Sequence, residues 1–381
     1  MCPSDELAFR STPPGTSVGS VQPLTAPTAS ANAMSLTRSS FRFAVALCGI
    51  CFSCHGTACG DESPSAGPPS ETRPAPSNLA GRGLVDFVDV FPLSLFHMQL
   101  PIDTTEVIDR GDVKLSLDFS WGNSLAVQDT DAVFVVDAET YLLRLGAWYA
   151  VHDSVYLGVD LPYVFRGGGV LDPVVEGFHD VFGISNDERE RRSTNSYDIT
   201  IIDEQGRERE LEQGSGLAPL VLKGHWNAYA GGEWAPAIVF EGYVGVPTAS
   251  KGFGSNGVDV GLAASFHKRF FENWYVHVGT GWVHYTDKRS SGLRYQSFGV
   301  QGSIGLEWAV TPNLSLAFEA MTLPAQLEFP RPLSERRNYL GGGLKWEFAP
   351  DWELELSVIE NLGPQRNSSD ITLGAGISLE L

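Results

Sequence analysis

Residues 113–121 read VKLSLDFSW. The odd positions, Val113, Leu115, Leu117, Phe119 and Trp121, are apolar, and Lys114, Ser116, Asp118 and Ser120 stand between them. Successive side chains of a strand point to opposite faces, so this alternation describes a β-strand with one greasy and one polar face. The pattern recurs at about 139–151, 154–165, 218–229, 236–247, 257–268, 273–285, 296–309, 313–322, 338–348, 352–360 and 370–381, which makes twelve strands, most of them nine to thirteen residues long. Strands of soluble proteins cluster near ~5–6 residues, whereas ~9–11 tilted residues cross a bilayer core. Length therefore favours a wall that spans a membrane.

The connections agree. Long ones (122–138, 166–217) alternate with short ones (152–153, 230–235), the arrangement of outer-membrane barrels with short periplasmic turns and long extracellular loops. Trp121, Tyr163, Phe165, Trp226, Trp274, Trp282, Trp308, Trp346, Phe348 and Trp352 sit near strand ends, where interfacial girdles form. Glycines recur inside the strands, as a curved sheet with close packing requires. The segments YDITIID (197–203) and RERELE (207–212) around Gly206 are short and charged, which suits an extracellular hairpin; as spanning strands they would raise the count to 14. The expected fold is all-β, a transmembrane antiparallel barrel of about 12 strands.

The chain has 381 residues with 46 acids against 26 bases, a formal charge of −20 that argues against nucleic acid as a partner. All five cysteines (Cys2, Cys48, Cys51, Cys54, Cys59) fall in the first 59 residues, so the remainder holds neither a disulfide nor a thiolate metal site. From Met34, MSLTRSSFR followed by the apolar run Phe43 to Phe52 and HGTAC reads as a signal peptide over 34–59, with 1–33 an extension before the true start. Cleavage before Cys59 with acylation of that cysteine is an alternative. Residues 60–83 are Pro, Ser and Gly rich and read as a disordered linker. After the leader no apolar run reaches the ~18–20 residues of a membrane helix. Residues 84–111 carry Phe87, Phe91, Leu93, Leu95, Phe96 and Leu100 ahead of the barrel at 112–381; so much apolar surface predicts a plug tucked into the barrel or a cap on its periplasmic mouth.

If the greasy face meets lipid, the lumen receives Asp118, Asp160, Glu241, Asp259, Glu307, Glu319, Glu347, Glu353, Glu355 and Glu380 against Lys114, Arg144, Lys223 and Lys345, with His225 and His277. Such a wall either is salt-bridged support or favours cations in a water-filled pore. The loop after Arg166 and Gly167–Gly169 carries Val170, Leu171, Val174, Val175, Phe178, Val181 and Phe182 at three- and four-residue spacing, which predicts an amphipathic helix over 171–183 with Asp172, Glu176, His179 and Asp180 on its other side. It is expected to fold over the mouth as a gate, with packing in the outer vestibule as the alternative.

Motifs for other chemistry lack their context. Cys51, Cys54 and His55 have the haem c spacing but lie in the leader. Gly252, Gly254 and Gly257 form G-x-G-x-x-G, yet the following VDVGLAASF is a strand and not the helix that binds a pyrophosphate. Neither a cofactor nor a metal is expected.

LPYVFRGGGVLDPVVEGFHDVFGISN (161–186), with FPLSLF near the start and ITLGAGISL near the end, resembles a Gram-negative envelope family described only as a domain of unknown function and regarded as outer-membrane-type barrels. The resemblance implies the barrel and no activity. The function expected is passage of a small solute, cationic or apolar, through a partly occluded lumen in the outer membrane. Outer-membrane lipid, the barrel-assembly machinery and the solute are the expected partners. The alternatives are a lipid-modifying enzyme of phospholipase or deacylase type, using His277, and a closed structural barrel.

Overall fold

The computed structural model of the protein describes residues 81–101, 107–128, 133–183, 192–363 and 365–381. The signal peptide, the start at Met34, Cys59 and most of the linker lie outside the described residues. The strands are β1 (Val113–Gln128), β2 (Phe134–His152), β3 (Val155–Gly167), β4 (Asp198–Ile202), β5 (Glu208–Glu210), β6 (Gly214–Leu217), β7 (Leu220–Tyr229), β8 (Ala237–Val246), β9 (Asp259–Phe271), β10 (Trp274–Tyr285), β11 (Arg289–Ser290), β12 (Leu293–Arg294), β13 (Phe298–Thr311), β14 (Leu314–Leu323), β15 (Arg337–Ala349), β16 (Trp352–Asn361) and β17 (Ile371–Glu380).

Among the described residues, twelve of these (β1–β3, β7–β10 and β13–β17) form one antiparallel ring. It closes where β1 pairs with β17, from Lys114 opposite Glu380 to Asn123 opposite Ile371. The sequence alternation has a direct counterpart in exposure: Leu115, Leu117 and Phe119 are outward and exposed, as are Leu157, Leu222, Phe240, Leu262, Val278, Ile304, Phe318, Leu340 and Leu356 around the ring. A contiguous apolar belt of this extent belongs in lipid. At the short-turn rim Trp274 and Trp308, paired across β10 and β13, stack at 5.6 Å.

β4 and β5 pair with each other, and β4 extends the long-loop end of β2, with Phe134 opposite Ile201. They are the extracellular hairpin and do not cross, so the ring has twelve strands rather than fourteen. The helix α1 spans Asp172–Phe182. Pro173 suits its first turn, and Gly183, at φ 70°, adopts the left-handed conformation that ends it.

Eight strands make a barrel that its own side chains fill, and twelve leave room for more. Residues 81–101 take that room. They enter at the short-turn end, where Arg82 meets Glu347 and Glu353, and rise past Leu84, Val85 and Asp86. They turn through a 3-10 turn at Ser94–Phe96 among the long loops and descend through Met98 and Leu100. Ile108 packs on Trp148, Ala150 and Tyr156 before β1 begins. The wall is cut away for this segment at glycines: a Cβ on Gly122 would strike Val90, on Gly305 Leu84, on Gly343 Val85 and on Gly261 Leu100. Close approach, beyond sheet curvature alone, thus accounts for several of the strand glycines. Gly81–Gly83, grouped with the linker by composition, belong to this inserted segment, because the amides of Arg82 and Gly83 bond to Glu307.

Candidate functional site

Alternation and register place every lumen residue expected from the sequence on the inner face. Arg144 of β2 lies opposite Asp118 of β1, with their side chains 3.3 Å apart, and Arg144 also pairs with Asp86 of the inserted segment. Lys223 Nζ is 2.7 Å from Asp160 and 4.1 Å from the Trp148 ring, over which its charge is also stabilised. Lys345 stands opposite Glu355 at 3.5 Å. His225 Nδ1 is 3.4 Å from Glu241, and His97 of the inserted segment is 3.2 Å from Asp259, which also accepts the Met98 amide at 2.9 Å.

These residues fall into two groups. Lys114, Asp118, Arg144, Asp160, Lys223, Glu307, Glu319, Lys345, Glu347, Glu353, Glu355 and Glu380 line a cavity of ≈ 1220 Å³ whose lining includes Asn273, Pro312 and Pro350, turn residues of the short-turn end, and Trp352 at the start of β16. His225, Glu241, Asp259 and His277 are fully buried outside its lining. His277 Nε2 meets Glu307 at 3.1 Å, its Nδ1 meets His267 at 2.8 Å, and His267 Nε2 meets the Ser265 hydroxyl at 2.9 Å. This Ser–His–His–Glu row is on the inner face of the barrel, with Ser265, His267 and His277 buried and its Glu307 end at the cavity, whereas a lipid-directed nucleophile would face the outer surface. Among the described residues no cluster of three His, Cys, Asp or Glu side chains could hold a metal ion.

Among the described residues the long-loop end is packed with apolar side chains. Phe91, Leu93 and Phe96 are buried against Phe134, Val136, Ala138, Ile199, Ile201, Leu293, Tyr295, Leu327 and Leu333, contributed by the wall, the hairpin and the long loops. Beneath this lid Asp89 accepts from Arg337 and from Ser94, and both charges are buried. Arg166, expected at the gate, is at this mouth: its guanidinium lies 4.3 Å from the Phe253 ring and 5.5 Å from Phe96, and it bonds to the Gly252 carbonyl.

The rest of the expected gate is elsewhere. Leu171, which caps α1, and Val175 within it pack on Ile371, Trp121 and Leu373, which belong to the outward row of β17 and β1. Asp172 accepts from Asn123 at 3.0 Å, and His179 Nε2 is 3.8 Å from Glu360. The helix therefore lies on the outer face of the wall and not over the mouth. Glu176 and Asp180 ride on it, half-buried and exposed respectively, and the Phe178 side chain lies outside the described residues. Amphipathicity demands an apolar surface for Leu171 and Val175, and Trp121 with Leu373 supplies it. Glu139, which sequence reasoning missed, anchors the assembly by accepting from Trp121 Nε1 at 2.7 Å, from the Tyr141 hydroxyl at 2.9 Å and from the Leu171 amide. Arg82, Asp86, Asp89 and Arg337 were missed as well. Their signal was present: two acids inside the apolar run 84–100 require basic partners on the wall once buried.

No curated protein matches the chain. Among solved structures it is similar to an outer membrane channel from Pseudomonas putida F1, at 14% identity and a TM-score of 0.51, over 75% of this chain and 100% of that one. Lower similarities include the translocator domain of the autotransporter NalP from Neisseria meningitidis (11% identity, TM-score 0.39, 71% and 88% covered) and the P. putida toluene transporter TodX (12%, 0.33, 76% and 92%). The first likeness is one of fold, the outer-membrane β-barrel. A family model for proteins of unknown function, DUF3187, matches residues 74–380, and the chain belongs to that family.

Proposed function

We propose that this protein is an outer-membrane channel for a small solute, cationic or apolar, held shut by its own residues 81–101. The carrying observation is the asymmetry of the lumen. A cavity of ≈ 1220 Å³ with a charged lining reaches the short-turn end, while at the other end, among the described residues, the Phe91–Phe96 turn and the side chains around it pack across the lumen. The obstruction is one chain segment tied to the wall by ion pairs at Arg82, Asp86 and Asp89, and not a wall filled by its own side chains. The ties at Arg82 and Asp86 keep contact with solvent, where ion pairs exchange for water and counterions; release of the segment as a unit also breaks the buried Asp89–Arg337 pair and the packing of Phe91, Leu93 and Phe96. The acids of the lining then face the open lumen and favour cations over anions. Insertion by the barrel-assembly machinery and a shell of outer-membrane lipid around the apolar belt complete the reading.

The test is single-channel recording from the refolded protein in a planar bilayer under a salt gradient. The reading expects discrete openings with a cation-selective reversal potential, more frequent in Asp86→Ala. Silence from both, in protein shown to be folded, contradicts it.

A further inference from the structure

Glu347 of β15 and Glu353 of β16 stand directly opposite each other across the strand pair, both on the lumen face. Like charges in that position repel, so the wall here is built around a cation. In this structure the cation is Arg82. Its Nη2 donates to Glu347 Oε2 at 2.6 Å and to the Pro312 carbonyl at 3.1 Å, and its Nη1 donates to Glu353 Oε2 at 2.8 Å. The two ends of the guanidinium are thus read by two carboxylates and a carbonyl, a forked arrangement matched to a planar cation. Its backbone is held separately, by Glu307 on the amide and Lys345 Nζ on the carbonyl. The side chain can therefore be exchanged without dismantling the cradle.

The cradle opens onto the cavity and keeps contact with solvent: Arg82, Glu347 and Glu353 side chains are 21%, 43% and 23% exposed. The same cavity offers a second polar point. The Ser303 hydroxyl is buried, lines the cavity, and has no hydrogen-bond partner among the described residues. It lies on the inward row of β13, four residues from Glu307 and hence roughly 13 Å along the strand. An elongated molecule with a cationic head in the cradle would run toward it.

We propose that Glu347 and Glu353 form a binding site for small organic cations ending in a guanidinium or primary ammonium, and that Arg82 occupies it as an internal stand-in. This rests on the channel reading above and names its solute class. The stand-in raises the concentration of ligand needed to enter, because an intramolecular competitor has a high effective concentration.

The experiment is calorimetric titration of agmatine into the folded protein in detergent, using wild type, Arg82→Ala, and Arg82→Ala combined with Glu347→Gln and Glu353→Gln. Arg82→Gln serves as a second vacating variant that keeps a polar side chain, and circular dichroism verifies each fold. Removing the stand-in should tighten agmatine binding at least tenfold in both vacated variants, and neutralising the two carboxylates should abolish it. Equal affinity in wild type and the vacated variants, or binding that survives the loss of both carboxylates, overturns the proposal. Agmatine binding by a variant that carries no current upholds the site and removes only the channel reading.

Discussion

Asp86 of the inserted segment pairs with Arg144 of the barrel wall, fifty-eight residues further along the chain. Arg144 is shared with Asp118, and the Asp86 amide donates to Glu355 at 2.7 Å, so one residue of the segment joins three strands of the ring. The segment is held by charges of alternating sign: Arg82 on Glu347 and Glu353, Asp86 on Arg144, Asp89 on Arg337.

The innermost of these ties is the most sensitive. Arg337 and Asp89 side chains are 3% and 0% exposed, and removing one partner strands the other charge in the interior. Asp89→Ala should lower stability by about 3–5 kcal/mol. Urea titration in micelles measures this, and a loss under ~1 kcal/mol would mean that water already reaches Arg337.

The glycine seats give a way to dislodge the segment without touching a charge. Gly261→Val and Gly122→Val place side-chain atoms where Leu100 and Val90 now sit. Both should leave the ring assembled while residues 81–101 become cleavable by protease added from the short-turn side. Continued protection would show that the segment is not seated there.

The alternation beginning at Val113 was sufficient to sort lumen from lipid, because a period of two leaves no ambiguity about which side chains share a face. The inward row that it defines holds Asp118, Arg144 and Glu355, which line the cavity. The alternation could not see Arg82, whose partners are 225 to 271 residues away and whose neighbours Gly81 and Gly83 have the composition of a linker. It also misplaced α1. The spacing of Leu171 and Val175 requires a buried face, but periodicity carries no information on which surface buries it, and the position of Trp121 near a strand end marks it only as a girdle residue. The charges in 84–100 were legible as a problem without a visible solution, since their bases come from β2 and β15.

The placement of α1 makes a distinguishing prediction. Glu139→Ala removes the acceptor for Trp121, Tyr141 and the Leu171 amide, at a cost of about 2 kcal/mol. It should loosen α1, as tryptophan fluorescence and proteolysis within 170–184 would report, and leave conductance unchanged. A change in unitary conductance would return the helix to the permeation path.

The extracellular hairpin carries a pH dependence. Removal from water pushes the Asp203 carboxyl upward, but the amides of Arg207 and Gln205 and the guanidinium groups of Arg209 and Arg207 outweigh this and hold it well below the usual carboxylate range. A depressed folded value means that the hairpin's stabilisation is complete above the unfolded value of ~3.9 and is lost as pH falls through the folded value. The hairpin should therefore resist pepsin at pH 3.5, and Asp203→Asn should be cleaved there. Equal cleavage of both would remove Asp203 as its organiser.

The central claim is that current flows only when residues 81–101 leave the lumen. Val90 lies against Gly122, so the paired substitutions Val90→Cys and Gly122→Cys, with the five leader cysteines replaced by serine, allow the segment to be tethered to β1 and released by reductant. Single-channel recording on one bilayer, before and after reduction, is the direct measurement. The account predicts silence when oxidised and cation-selective openings when reduced. Equal currents in both states would contradict it, because the pathway would then bypass the inserted segment.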